Sequence, residues 1–347
     1  MKLSIGEFKV YIVNRGAEFF GVDLSAIDLL GRTQSEWLKK LDENAELVDD
    51  VELNSLKYAI VLYSDTPLVT YSDLTDAAEI MEAREIENAI LPSGYIITEN
   101  VQPFKEISVG ADNYLRLTDC ESYEKILCAL RLRINNEHMQ SGVFIMDTAS
   151  VFIDDTVEIG SGTFIKPNNV LKGSTVVGEN VIFEPNNNIT DTLIGNDVKL
   201  TGVVSQSAEI GDLTTVGPYV YLRPGAKIGK GCKVGDFVEI KNSVISDGAK
   251  VPHLAYVGDA DVGSKVNVGC GVIFANYDGK HKHRTKVGDN VFIGSNTTLI
   301  APIEVGDGAF IAAGATIAHS VPGGAFVIAR ASETIKEGRA EKYLKKD

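Results

Sequence analysis

From residue 151 onward an aliphatic or aromatic side chain returns at every sixth position. One run is Ile153, Ile159, Ile165, Leu171, Val177, Phe183 and Ile189; a second is Ile210, Val216, Leu222, Ile228, Val234 and Ile240; a third is Val287, Ile293, Leu299, Val305, Ile311 and Ile317. A period of six fits neither the 3.6 of a helix nor the 2 of a half-buried strand. It suits a chain that lays down a short strand, turns a corner and repeats, so that each side of a three-sided coil points one apolar residue at an enclosed axis. Gly follows many inward residues, as in Ile159-Gly160, Val177-Gly178, Ile228-Gly229 and Val305-Gly306. Such a residue can supply the backbone angles of a tight corner. The expected fold is mainly β, a parallel β-helix of hexapeptide repeats.

Charge and cysteine usage narrow the function classes. The net charge is −15, of which −13 lies before residue 151. Phosphate contacts to nucleic acid need a clustered basic surface, so a nucleic-acid partner is not expected. Cys120, Cys128, Cys232 and Cys270 form no CxxC pair and read as reduced thiols. The opening MKLSIGEFKVYIVNRG lacks an apolar signal core. No apolar stretch approaches the ~20 residues that cross a bilayer. The expectation is a soluble, cytoplasmic protein with no membrane span.

Ahead of the repeats, residues 1–115 read as a small α/β domain. KVYIVN (9–14) and YAIVLYSD (58–65) are strand-like, while 33–47 and 71–90 have helical spacing behind Thr, Ser or Asp caps. Residues 116–142 hold a connecting helix, capped by Thr118 or Asp119, that delivers the chain to the first coil. The β-helix is assigned to 143–330 and a basic tail to 331–347. The hexad rhythm fails across Ala275 to Lys286 (ANYDGKHKHRTK), so this polar segment must leave the coil as a loop, and loops on rigid scaffolds commonly carry function.

Arg223, Glu239, Lys241, His253, Tyr256 and Asn267 precede that loop, and Asn276, Tyr277 and Lys282 lie in it. With about eighteen residues per turn of solenoid, such residues can stand on adjacent coils. Arg and Lys together suit a phosphate monoester. A histidine whose ordinary pKa is ~6.5 can take a proton at cellular pH. Plainer readings exist for each: a corner histidine, solvated lysines, a packing Cys270. Counting alone yields an anion-binding groove on a solenoid and leaves the reaction open.

The motifs go further. GPYVYLRPGAKIG, VGDFVEIKNS, HLAYVGDADVG, VNVGCG and NYDGKHKHRTKVGDNVFIGSNTTLIAPIEVGDGAFIAAG together resemble the acetyltransferase half of the bifunctional N-acetylglucosamine-1-phosphate uridyltransferase / glucosamine-1-phosphate N-acetyltransferase family. The resemblance runs from about Arg133 to Arg330. It implies a left-handed β-helix, a homotrimer, and N-acetylation of glucosamine 1-phosphate with acetyl-CoA as co-substrate. By the same resemblance Arg223, Lys241, Tyr256, Asn267, Tyr277 and Lys282 would hold the sugar phosphate. His253 would be the general base, supported by Glu239, with Asn276 beside the reacting centre. Cys270, Ser295, Ala313 and Arg330 would line the acetyl-CoA groove.

The N-terminal part departs from that family. The Gly-rich nucleotide loop has no counterpart, yet LYSDTPLVTYSDL resembles a family segment whose Asp ligates a metal, here Asp65. VGADN resembles a region supplying a second ligand, here Asp112, so a Mg²⁺ site is conceivable at these two residues. The expectation is a shrunken nucleotidyltransferase-like (Rossmann-like) domain without uridylyl transfer. Two rivals stay open: acetylation of another amino sugar, including a nucleotide-linked one, and a non-catalytic trimeric scaffold or regulator.

Overall fold

The computed structural model describes residues 4–15, 18–19, 21–99, 103–107, 109 and 111–344; the side chains of Phe19, Ala111, Asp112 and Glu341 lie outside that description. The chain forms two compact units, Met1–Glu158 with Ile165–Ser174, and Ile159–Phe164 with Thr175–Asp347. The first strands of the solenoid therefore belong with the N-terminal unit.

The N-terminal unit carries a six-stranded mixed sheet. Lys9–Val13 sits between Glu46–Val48 and Ala59–Tyr63, both parallel to it. Ala59–Tyr63 then pairs antiparallel with Gly94–Ile97, which pairs antiparallel with Asn88–Leu91, and Lys105–Glu106 closes the edge in parallel. Helix α1 (Gln34–Lys39) and helix α2 (Tyr71–Ala83) are shorter than their spacing suggests. After α1 the Asp42 side chain takes the Asn44 N–H at 2.9 Å, and the chain turns into the strand Glu46–Val48. Beyond α2, Glu85 adopts φ +50°, and the apolar residues that continued the helical pattern become the strand Asn88–Leu91. The α2 start is a reciprocal cap: Thr70 N–H donates to Asp73 Oδ2 at 2.7 Å while Asp73 N–H donates to Thr70 Oγ1 at 3.3 Å. Leu74, Ala77, Ala78 and Met81 of α2 are buried in one core with Ile12, Ile60, Leu62 and Ile96 of the sheet. Each large apolar side chain so buried contributes roughly 1.5–3 kcal/mol. Helix α3 (Cys120–Gln140) is capped by Asp119, whose Oδ1 accepts the Ser122 N–H at 2.8 Å.

The repeats form three parallel sheets of ten, nine and eleven strands. Like side chains stack coil upon coil, as in Leu222↔Ile240, Val216↔Val234 and Ile228↔Ile245. Every residue of the three hexad runs is buried except Ile159, which is half-buried. The glycines after the inward residues act differently from the sequence expectation. The left-handed corner residue comes two positions later, at Asn180 (φ 56°), Gly231 (φ 61°) and Gly308 (φ 66°). Gly178, Gly229 and Gly306 are instead where coils touch. A Cβ there would meet Gly195 C at 2.7 Å, Asp247 Oδ1 at 2.5 Å and Gly323 N at 2.4 Å. Between Ile273–Ala275 and Thr285–Val287 the chain leaves the coil, as the broken rhythm requires. Among the described residues no helix is long and apolar enough to cross a membrane.

Candidate active site

One corner of the solenoid gathers His253 with the residues expected at the cofactor. Lys250 pairs with Asn267, Asn267 with Phe292, and Phe292 with Phe310 on successive coils. Three residues past each of these stand His253, Cys270, Ser295 and Ala313, so the four share one column. Backbone bonds tie it: Asn296 N–H to Cys270 O at 2.7 Å and Gly314 N–H to Ser295 O at 2.8 Å. Arg330 joins through Nη1, which donates to Ala313 O at 2.5 Å. The coils touch here as well: a Cβ on Gly269 would meet Ser295 N at 2.6 Å and one on Gly294 would meet Ala313 N at 2.4 Å.

His253 closes the strand Lys250–His253 and stands opposite Asp236 in the register. Its Nδ1 lies 2.5 Å from Asp236 Oδ1. The hydrogen bond to His253, with burial working against it, holds the Asp236 carboxyl below its usual range. Glu239, expected as the partner of His253, is engaged elsewhere: its Oε1 accepts from Arg223 Nη1 at 2.8 Å. Fourteen residues separate Glu239 from His253, less than a coil, whereas Asp236 and His253 are 17 apart, one coil in this sheet. That spacing was the available signal for Asp236.

A second cluster lies three residues along the same coil, where Tyr256 pairs with Glu239 and Gly258 with Lys241. Here Asn242, Asp259 and Asn276 form a ladder, each one coil from the next. Asn242 Nδ2 donates to Asp259 Oδ1 at 2.7 Å, and Asn276 Nδ2 donates to Asp259 Oδ2 at 2.5 Å. The Asn276 amide also reaches the Tyr256 hydroxyl at 3.5 Å. A Cβ on Gly258 would displace the two side chains, meeting Tyr256 Oη at 2.4 Å and Asn276 Nδ2 at 2.8 Å. Burial disfavours the Asp259 carboxylate, but bonds from the two amides, with Lys241 and Lys282 nearby, keep its pKa low. The two ammonium groups adjoin: contact with Lys282, reinforced by partial burial, lowers the Lys241 pKa. Glu239 pairs with Arg223 and Asp259 lies near the two lysines, so one positive charge is left in surplus. Sequence reading missed Asp236, Asp259 and Asn242.

The loop is a folded hairpin. Asp278 Oδ1 accepts the Lys280 and His281 N–H groups, each at 2.7 Å, and its Oδ2 lies 2.7 Å from His283 Nε2. Those bonds pull the Asp278 pKa to about 2. Arg284 pins the base of the hairpin to Asp261 through Nε at 2.7 Å and to Asn242 O through Nη1 at 3.0 Å. Two expected ligands stand apart. Tyr277 is exposed, with its hydroxyl on Gly279 O at 2.7 Å. Asn267 lies in a different sheet from Tyr256, and its side chain has no hydrogen-bond partner among the described residues.

Asp65, the carboxylate considered for Mg²⁺ whose side chain is described, does not fit a metal. Asp65 is only 2% exposed, and its Oδ2 accepts from Arg116 Nε at 2.7 Å and Nη2 at 2.5 Å. A guanidinium thus stands where a dication would bind. Asp65 Oδ1 is buried without a partner among the described residues, but one oxygen beside a guanidinium is a poor cation site. The Asp112 side chain lies outside the description. No group of three or more His, Cys, Asp or Glu among the described residues could share a metal.

Residues 207–242 and 284–319 match the bacterial transferase hexapeptide (six repeats) family. The chain is 41% identical over 293 residues to the Bifunctional protein GlmU of Clostridioides difficile (strain 630), covering 84% of this chain and 61% of that one. It is 43% identical over 274 residues to the Bifunctional protein GlmU of Clostridium kluyveri, covering 79% of this chain and 57% of the relative. Among solved structures, the UDP-N-acetylglucosamine acyltransferase from Campylobacter jejuni matches with a TM-score of 0.36 at 16% identity, covering 51% of this chain and 68% of that one; overlap at this level says nothing about the reaction. The chain spans about three fifths of the length of the curated relatives it matches. Motifs, hexads and these identities agree: over about four fifths of its length the protein is a homologue of the GlmU proteins.

Proposed function

We propose that the protein N-acetylates glucosamine 1-phosphate with acetyl-CoA. The observation that carries this reading is the surplus of positive charge at Lys241 and Lys282, close along the coil to a histidine already bonded to a carboxylate. A phosphate dianion would neutralise the lysines, with Arg223 free to turn one N–H toward it. Tyr256 and Asn276 supply hydroxyl and amide groups for the sugar. The amine nitrogen attacks the thioester carbonyl of acetyl-CoA. The C–N bond forms, the C–S bond breaks, His253 takes the proton from nitrogen, and coenzyme A leaves as the thiol after protonation. No acyl-enzyme is needed, so Cys270 serves as groove wall. Cys270, Ser295, Ala313 and Arg330 would hold the acetyl-CoA, and the family resemblance adds a homotrimer, which sedimentation at low concentration tests. Uridylyl transfer is not part of the reading, because the carboxylate it needs is spent on Arg116. Steady-state assays of acetyl-CoA against amino sugars and their phosphates decide the matter. Highest kcat/KM for glucosamine 1-phosphate is expected; equal rates with and without phosphate would overturn the assignment. Pyrophosphate release from UTP, N-acetylglucosamine 1-phosphate and Mg²⁺ at a comparable rate would overturn the loss of the second activity.

A further inference from the structure

We propose that Asp236 is the positioning residue of His253: it fixes the imidazole in the neutral tautomer with the proton on Nδ1 and leaves the Nε2 lone pair for the substrate amine. This assignment rests on the acetyl-transfer reading and deepens it by naming the group through which the base is aimed. An ionised carboxylate only accepts hydrogen bonds, so the 2.5 Å contact requires Nδ1 to be the donor. The low pKa of Asp236, caused first by that bond, keeps it ionised.

The geometry is imposed by the coil and leaves little room to drift. Asp236 and His253 are register partners, and the Leu254 N–H donates to Asp236 O at 2.9 Å, clamping the same pair through the main chain. Next to Asp236, Gly235 brings the two coils into contact, for a Cβ there would meet Pro252 O at 1.8 Å. Glu239 is held by Arg223. The Asp236 carboxylate would also stabilise the imidazolium formed when His253 takes the proton.

The test combines a spectroscopic readout with kinetics. In protein labelled with ¹⁵N-histidine, the His253 ring, assigned by its loss in His253→Gln, should show the Nδ1–H tautomer. In Asp236→Ala it should become a mixture. An Nε2–H tautomer in the parent protein, or no change in the variant, overturns the proposal whether or not any sugar is acetylated. If the tautomer behaves as expected but no amino sugar is acetylated, the positioning stands and the reaction reading falls. Kinetically, Asp236→Ala should lower kcat by about 10–100-fold, on the analogy of losing the carboxylate that orients a metal-bound histidine, with both KM values within about twofold. Asp236→Asn keeps the volume but offers an N–H donor as well as an acceptor oxygen, so it should no longer dictate the tautomer and should lose at least as much activity as the alanine variant. Asp236→Ala combined with His253→Ala should be no slower than His253→Ala alone. Multiplied losses would mean that Asp236 acts independently, and the proposal would fail.

Discussion

The two charge clusters of this protein follow opposite plans. In the N-terminal unit Asp65 is buried, and Arg116 answers it with two hydrogen bonds. In the solenoid Lys241 and Lys282 press together, and Asp259, the acid beside them, is also held by two asparagines. A cluster that balances its own charge needs no ligand to be stable. One left with surplus charge gains free energy when an ion of opposite sign arrives. The comparison separates a cluster whose charges are satisfied within the chain from one that an anion would stabilise.

The sharpest way to break this contrast is at the base. His253→Ala should lower kcat by ~10²–10⁴-fold with acetyl-CoA affinity nearly intact. Lost affinity with kcat retained would make His253 a binding residue and leave the solenoid without a base. Next come the cations. Lys241→Ala and Lys282→Ala should each reduce kcat/KM for the sugar phosphate by an amount equivalent to ~1.5–3 kcal/mol, and much less for the unphosphorylated sugar. Equal losses on both substrates would show that the surplus charge is not for phosphate.

The N-terminal cluster predicts the reverse pattern. Arg116→Ala should leave acetyl transfer unchanged yet cost about 1–3 kcal/mol of stability, because it strands a buried carboxylate. Urea unfolding monitored through the single Trp37 would read it. A loss of activity without a loss of stability would mean that the pair is functional after all.

The smallest effect concerns the hairpin. The Asp278 pKa is depressed, so the stabilisation from its bonds is fully present above the ordinary carboxylate value and is lost as pH falls through about 2. At pH 3 the ¹³C shift of its carboxyl should still be that of the ionised form. A midpoint at the ordinary value would mean that the hairpin bonds do not persist in solution.

The fold of the solenoid was legible because a period of six leaves a chain few ways to bury its apolar residues. For Arg223, Lys241, His253, Tyr256 and Lys282, spacing offered only an anion-binding groove, and their roles came from the resemblance of the motifs. The helix expectations at 33–47 and 71–90 overran because α-periodicity does not reveal where tertiary pairing takes over. Glu46–Val48 and Asn88–Leu91 are strands only because partner strands receive them.

By itself, then, the sequence determined the coil, its inward residues, the loop that interrupts it and the residues that gather near that loop. All of these follow from local spacing, which the chain carries in one dimension. Only the tertiary structure decided which carboxylate serves which cation or histidine. Asp236 rather than Glu239 meets His253, Glu239 goes to Arg223, and Arg116 takes Asp65. The register offset between coils varies, 16 residues at Asn188↔Val204, 17 at Asp236↔His253 and 18 at Leu222↔Ile240. A slip of one residue turns a side chain to the other face of its strand. Ion pairs reach only about 3 Å. Pairing therefore depends on a precision in three dimensions that composition and periodicity do not carry.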